Sequence, residues 1–222
     1  MHFDILVEDQ SGKILLEHLV PKIIGASHTY KIHAYHGIGS LPKGRKQAKG
    51  IKHSQLLNIL PALIAGYGQT YRGYGRSYKA ALVVVCDLDD KCMKEFRREL
   101  DYVVKKCVSA PGETRFCFAV EEGEAWLLGD KAAVREAYPH AKNNVLNTYQ
   151  NDSICDTWEL LADAVYDGGR QRLSSCAWSV IGTEKCSWAE KIGQYMNVNN
   201  NKSPSFNYFR KTMKKLAGDE NA

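Results

Sequence analysis

Short hydrophobic runs in the first half of the chain each end at a polar residue. The clearest run, residues 82–86 (Leu-Val-Val-Val-Cys), leads directly into Asp87. A short β-branched run without polar alternation is typical of a strand buried on both faces. Comparable apolar stretches predict strands at about 3–7, 29–35 and 116–120. Because helical patterns separate them, we predict an α/β fold with a mostly parallel sheet of four or five strands flanked by helices.

Segments with helical spacing of apolar residues follow the first predicted strand and precede the predicted strand at 82–86. Asp9 or Ser11 can cap the first of these helices. Pro21 should kink this helix or end it early, and Gly25 should close it. A further helix is expected at 54–65.

The segment 66–79 is rich in glycine, tyrosine and arginine. Tyrosines interleaved with arginines can stack on bases and contact phosphates. The same composition fits a surface linker whose tyrosines pack locally. Both interpretations stay open at the level of sequence.

The chain from residue 131 onward contains no convincing strand pattern. Helices are expected at 131–138, at 157–166, at 184–196 and from Pro204 onward. Thr183 and Ser203 are the expected N-caps of the last two helices, whereas 143–152 is polar and loop-like. We therefore predict an α/β core at 1–130 and a helical C-terminal region at 131–222 that packs on this core.

The composition is that of an ordinary globular protein. The longest wholly apolar run, 80–86, is much shorter than the roughly 18 residues that suggest a membrane span. The N-terminus lacks a signal-peptide pattern. The seven cysteines include no Cys-x-x-Cys pair, so neither a zinc site nor a disulfide framework is favoured. We expect a cytoplasmic protein without membrane association.

The net charge of +5 is mild, but the charges are unevenly distributed. No acidic residue lies between Glu17 and Asp87, a span that holds ten lysines and arginines. Basic surface beside an acidic cluster suits a metal-dependent enzyme that acts on a polyanion; a basic surface without a ligand is the alternative. The residues expected to bind nucleic acid are Lys43, Arg45, Lys46, Lys49, Lys52, Arg72 and Arg76.

Carboxylates follow three of the predicted strands. Asp87 and Asp89 face the same way if strand geometry continues to Asp89. Glu8 follows the first strand, and Glu122 and Glu124 follow the last. The carboxyl edge of a parallel sheet is where open α/β sheets bind ligands. Close carboxylates repel each other unless a cation intervenes, and Mg²⁺ accepts one or two carboxylates together with waters and phosphates.

The same acidic pattern resembles a known family. A Glu at the end of the first strand (Val7-Glu8) and an Asp-x-Asp at the end of a later one (Asp87-Leu88-Asp89) are similar to the two motifs of the TOPRIM domain. TOPRIM domains occur in topoisomerases, bacterial primases, recombination-repair proteins and OLD-type nucleases. Where the family usually has Gly after the Glu, this chain has Asp9. This difference disfavours the topoisomerases and primases, so the more divergent nuclease-like branch is the one that the chain resembles.

The whole chain also resembles a bacterial family of TOPRIM-like proteins of similar length. The matching stretches are 122–128 (Glu-Gly-Glu-Ala-Trp-Leu-Leu), 158–163 (Trp-Glu-Leu-Leu-Ala-Asp), 188–192 (Trp-Ala-Glu-Lys-Ile) and 201–206 (Asn-Lys-Ser-Pro-Ser-Phe). The resemblance implies a TOPRIM-like core and a partner ATPase of ABC or AAA type in phage-defence-like gene pairs.

The resemblance also implies roles for the acidic residues. Glu8 would be the catalytic or metal-shaping acid, and Asp87 and Asp89 would be catalytic ligands of Mg²⁺ (or Mn²⁺). Glu122 and Glu124 match the second acidic motif of the bacterial family, in the stretch 122–128, and would complete the metal site. The implied reaction is phosphodiester hydrolysis.

Three functional hypotheses follow. The first is a Mg²⁺-dependent nuclease that acts as a defence effector, and the second is a catalytically weak TOPRIM-like binding or regulatory subunit of an ATPase. A phosphotransfer domain of receiver or haloacid-dehalogenase type is disfavoured. The latter has its Asp-x-Asp on the first strand and usually Thr where Lys91 stands. A structural alternative for the acidic stretch is that Asp89 or Asp90 merely caps the next helix.

Overall fold

The computed structural model describes residues 1–42, 55–75, 77–153 and 155–219. Its four strands are β1 (His2–Val7), β2 (Thr29–Ala34), β3 (Ala80–Asp87) and β4 (Thr114–Ala119). They form one parallel sheet in the order β2-β1-β3-β4. In register, Val7 lies beside Val85, and Asp87 lies beside Ala119. The carboxyl ends of the strands therefore meet at one edge, and the predicted α/β fold with a parallel sheet is confirmed.

Ten helices occur within these described ranges. They are α1 (Gln10–Ile24), α2 (Leu56–Gly73), α3 (Met93–Lys106), α4 (Glu124–Leu128), α5 (Lys131–Ala137), α6 (Asn143–Thr148), α7 (Thr157–Val165), α8 (Gly169–Ser174), α9 (Trp178–Gly193) and α10 (Pro204–Ala217). No described residue beyond Ala119 belongs to a strand. The C-terminal region is therefore helical, as predicted.

The two faces of the sheet are covered by different helices. Side chains alternate along a strand, so Phe3 and Ile5 pack against α1 and the C-terminal helices. Leu6 on the same strand packs with Leu82 and Val84 against α2 and α3 on the other face. The sheet is consequently buried on both sides, which explains its continuous apolar runs.

Hydrogen bonds show which of the predicted N-cap residues cap their helices. Asp9, rather than Ser11, caps α1, because its Oδ1 accepts from Gly12 N at 2.7 Å. Ser203 caps α10 as predicted, its Oγ accepting from Phe206 N at 3.1 Å. Thr183 is not a cap: its Oγ1 donates to the Ser179 carbonyl inside α9.

Several helix boundaries differ from those predicted. α1 continues past Pro21 to the expected end at Gly25. α6 forms within the stretch predicted to be loop, anchored by the fully buried Leu146. α2 continues to Gly73 because it packs closely at Gly68, where a Cβ would lie 1.5 Å from the Ser109 carbonyl oxygen. These boundaries depend on tertiary contacts that local sequence does not encode.

The described residues include no helix that is both long and apolar enough to cross a membrane. All seven cysteines are free thiols, and Cys86 and Cys117 are buried in the core as small apolar residues.

Candidate functional site

Two of the predicted acidic residues meet at the carboxyl edge of the sheet. Glu8 directly follows β1, and Asp87 is the last residue of the neighbouring β3. The Oε2 atom of Glu8 accepts a hydrogen bond from the backbone N–H of Asp87 at 3.3 Å. Both residues line one small cleft, so the structure brings Glu8 and Asp87 of the predicted acidic set together.

These two carboxylates are electrostatically strained in the absence of a cation. Burial raises the pKa of Glu8 to about 7, and the charges of Asp9 and Asp89 contribute in the same direction. Burial and the charges of Glu8 and Asp9 raise the pKa of Asp87 well above its usual range. Among the described residues, the Asp87 carboxylate has no hydrogen-bond donor or ion-pair partner. The pair is thus short of positive charge.

A buried lysine from the C-terminal region reaches the same edge. The Nζ atom of Lys185, on α9, lies 3.2 Å from Oε2 of Glu122 and 3.2 Å from Oε2 of Glu124. Burial would lower the pKa of Lys185, but Glu124, Glu122 and Asp87 hold it above its usual value. Burial and the Glu124 charge raise the pKa of Glu122 to about 8. The lysine therefore serves as counter-ion to the two glutamates.

Asp89 does not lie where a continued strand would place it. β3 ends at Asp87, and Asp89 has a left-handed φ of 49°. Its exposed carboxylate forms an ion pair with Lys91. Asp89 therefore lies at the rim of the site, where its charge still raises the pKa of Glu8. The capping alternative is also wrong, since Cys92 is the N-cap residue of α3 and no side chain caps that helix.

Sequence reasoning gave Asp9 only a capping role and missed the role of Lys185 altogether. Asp9 caps α1 and also raises the pKa of Glu8 and Asp87. Lys185 lies on the same helical face as the buried Ile181 and Trp188, four residues after the first and three before the second. A lysine within an apolar stripe was the available signal. The stripe includes Ile181, which lies before the predicted helix start at 184 but inside α9.

Glu121, which was not assigned a role, stabilises the surrounding structure. It has a left-handed φ of 65°. Its carboxylate accepts hydrogen bonds from Asp156 N and, at 2.9 Å, from Thr157 N at the start of α7. Trp126 on α4 is held similarly: its indole N–H donates to Ser205 Oγ at 2.9 Å. These contacts fix α4 and hence Glu124.

Part of the acidic cluster is available to bind a divalent cation. Within the described ranges, no three histidine, cysteine or carboxylate side chains are arranged as a preformed metal centre. Lysines already pair with Glu122, Glu124 and Asp89, which leaves Glu8 and Asp87. Two hard carboxylates with open positions for water and phosphate are what Mg²⁺ or Mn²⁺ accepts. The cleft beside them has room for about one water-sized group, about 20 Å³.

Most of the predicted nucleic-acid-binding residues lie outside the described residues. They are Lys43, Arg45, Lys46, Lys49, Lys52 and Arg76. The described backbone on either side of 43–54 is tied to the acidic edge, because Leu56 N donates to the Gly37 carbonyl and Gly37 N donates to the Glu8 carbonyl.

Arg72 is described, and the structure does not bring it to the acidic residues. It lies near the end of α2, where its Nε donates to the Gly68 carbonyl at 3.1 Å. This is the amino edge of the sheet, close to Lys79. β1 alone has six residues and spans roughly 20 Å, so Arg72 is too far away to contact a phosphate held at Glu8.

The tyrosines near Arg72 pack on one another around a buried carboxylate. Tyr71 lies between Tyr67 and Tyr78, with ring centroids 5.9 and 6.1 Å away. Its hydroxyl donates to Asp4 Oδ2 at 2.7 Å. Burial would raise the pKa of Asp4, but hydrogen bonds from His33 and Tyr71 lower it. Of the two alternatives for this segment, the structure shows local packing of these tyrosines; Tyr67 and Tyr71 lie on α2, and Tyr78 lies in the loop before β3.

Comparison of the chain with protein-family models, with curated proteins and with solved structures finds no match.

Proposed function

We propose that this protein is a Mg²⁺-dependent nuclease of TOPRIM type that hydrolyses phosphodiester bonds. The observation that carries the proposal is the Glu8–Asp87 pair, two crowded carboxylates at the ends of adjacent parallel strands, for which the described part of the chain supplies no counter-ion of their own. Such an arrangement is unfavourable unless a cation binds or a proton is taken up. Its position at the carboxyl edge of the sheet is where ligands of open α/β folds bind.

Glu8 and Asp87 would hold the cation, which when bound lowers the pKa of its water and neutralises charge on the scissile phosphate. Because binding requires both carboxylates to be ionised, it displaces the protons that these groups retain in its absence. Lys185 keeps Glu122 and Glu124 neutralised and contributes positive charge near Asp87. The basic stretch from Lys43 to Lys52 would attract the polyanionic substrate, since phosphate contacts supply most of the affinity for nucleic acids.

The proposal is tested by incubating the purified protein with labelled DNA and RNA in Mg²⁺, Mn²⁺ or EDTA. Asp87→Asn keeps the size of the side chain and removes one charge. We expect cleavage by the wild type in either metal, none in EDTA, and none by Asp87→Asn, which should be at least as stable as the wild type without metal. A variant that still cuts would show that the chemistry lies elsewhere.

One observation favours a second function, that of a catalytically weak TOPRIM-like regulatory subunit. Lys185 already neutralises part of the acidic cluster with its own ammonium, as a cluster without metal would require. This function predicts no Mg²⁺ binding and no cleavage, so the same assay separates the two.

The cytoplasmic location, the role in antiviral defence and the ABC-type or AAA-type ATPase partner remain part of the proposal. The cytoplasmic location is supported by the cysteine usage of the sequence, and the other two by the resemblance of the sequence motifs alone. Co-expression and co-purification of the chain with a candidate ATPase of ABC or AAA type would test the partnership.

A further inference from the structure

We propose that Lys185 is a built-in cation that limits the acidic site to one divalent metal ion per chain. This inference rests on the proposed function and specifies how its metal site is composed. Several carboxylates of the described residues lie at or beside this edge, among them Glu8, Asp9, Asp87, Asp89, Glu122 and Glu124. Such a concentration of negative charge would suit two divalent ions, as in two-metal phosphodiester hydrolysis.

The position of the ammonium group excludes the second ion. Nζ of Lys185 lies 3.2 Å from one oxygen of Glu122 and 3.2 Å from one oxygen of Glu124. A metal ion that bridged these glutamates would need the same position between the same oxygens. It would also be repelled by the ammonium group at close range.

The lysine is held in this position by its helix. α9 is anchored in the core by Trp188 and Ile192, which are almost fully buried, and it packs on α1 and α4. Only 16% of the Lys185 side chain is exposed, and Glu124 is 3% exposed. Because burying an unpaired glutamate or lysine is costly, neither side chain can turn away without losing its partner.

Glu8 and Asp87 lie beside this ion pair but are not hydrogen-bonded to Lys185. They remain the place for the single metal ion. Lys185 is accordingly a positioning residue that supplies, at a fixed point, the positive charge for which other sites use a second metal ion.

The test counts Mn²⁺ ions bound per chain, by the electron paramagnetic resonance signal of the free ion. We expect one ion for the wild type and two for Lys185→Met, which removes the charge and frees both glutamates. Lys191→Met, an exposed lysine on the same helix, is the matched control and should bind one. A single ion in Lys185→Met, or two in the wild type, would overturn the inference while leaving the proposed function intact.

A wild type that binds no Mn²⁺ would instead overturn the proposed function, and this inference with it. Because Lys185→Met leaves two glutamates without a counter-ion, its fold is first checked by circular dichroism. If it fails to fold, Glu122→Gln decides, since it retains the lysine. This variant should bind one Mn²⁺, with affinity reduced by no more than the roughly 10–100-fold typical of outer-shell changes. Complete loss of binding would identify Glu122 as a metal ligand and refute the inference.

Discussion

Replacing Glu8 by glutamine should stabilise the metal-free protein, in contrast to most substitutions of partly buried residues. Glutamine preserves the oxygen that accepts the Asp87 N–H but carries no charge. In the wild type, burial raises the pKa of Glu8 from 4.5 to about 7. The folded state therefore binds this proton more tightly than the unfolded state, and stability falls as the pH rises from about 4.5 to 7.

The size of the effect follows from this pKa difference. One pH unit of difference corresponds to about 1.4 kcal/mol, so ionised Glu8 costs on the order of 3 kcal/mol of unfolding free energy at pH 8. Glu8→Gln should recover on the order of 1–3 kcal/mol of this unfolding free energy. The recovery is smaller than the full cost because the neighbouring carboxylates adjust differently in the wild type and in the variant. For a protein of this size, each kcal/mol raises Tm by about 2–4 °C.

The assay is thermal and urea unfolding in EDTA from pH 4.5 to 8, repeated with Mg²⁺. The advantage of Glu8→Gln should vanish near pH 4.5 and grow towards pH 8. Mg²⁺ should stabilise the wild type, by ligand binding to the folded state, and leave Glu8→Gln unchanged. Glu136→Gln, at an exposed position on α5, controls for loss of a carboxylate and should show neither effect. The reasoning is refuted if Glu8→Gln is less stable than the wild type at pH 8, or if the difference does not depend on pH.

Three further outcomes are expected. Ser205→Ala removes the acceptor of the buried Trp126 indole N–H and should lower the unfolding free energy by about 1–3 kcal/mol, whereas unchanged urea unfolding would show that another acceptor replaces it. Tyr71→Phe removes a donor to buried Asp4, whose pKa is lowered; it should cost about 1–3 kcal/mol at pH 7 and less as the pH falls through the Asp4 pKa, since the protonated acid no longer needs the donor. Replacing Lys43, Arg45 and Lys46 together by neutral residues should reduce the slope of log affinity against log salt concentration for nucleic-acid binding. The reduction should be about one unit for each phosphate that the protein no longer neutralises. An unchanged slope in a filter-binding titration would exclude these three residues as the binding surface.

Local patterns in the sequence were sufficient for the sheet and for part of the site. Buried strands are recognisable from apolar runs alone, and parallel order follows from the helices between them. The convergence of Glu8 and Asp87 could be predicted because both leave their strands at the same edge. The start of α10 could be predicted because Ser203 and Pro204 act within one helical turn.

The partner of each carboxylate was decided only by the tertiary structure. Asp89 does not continue the strand geometry of Asp87, because the backbone takes a left-handed conformation at Asp89, two residues after the end of β3. The spacing of the two aspartates does not reveal this change. Lys185 lies 63 residues from Glu122, and nothing local to either residue specifies their contact. It forms because Trp188 and Ile181 bury one face of α9 and carry the lysine with them to the sheet edge. Sequence periodicity thus determined where the charges lie along each element, whereas packing between distant elements determined which carboxylates are paired with a lysine and which two, Glu8 and Asp87, have no such partner among the described residues.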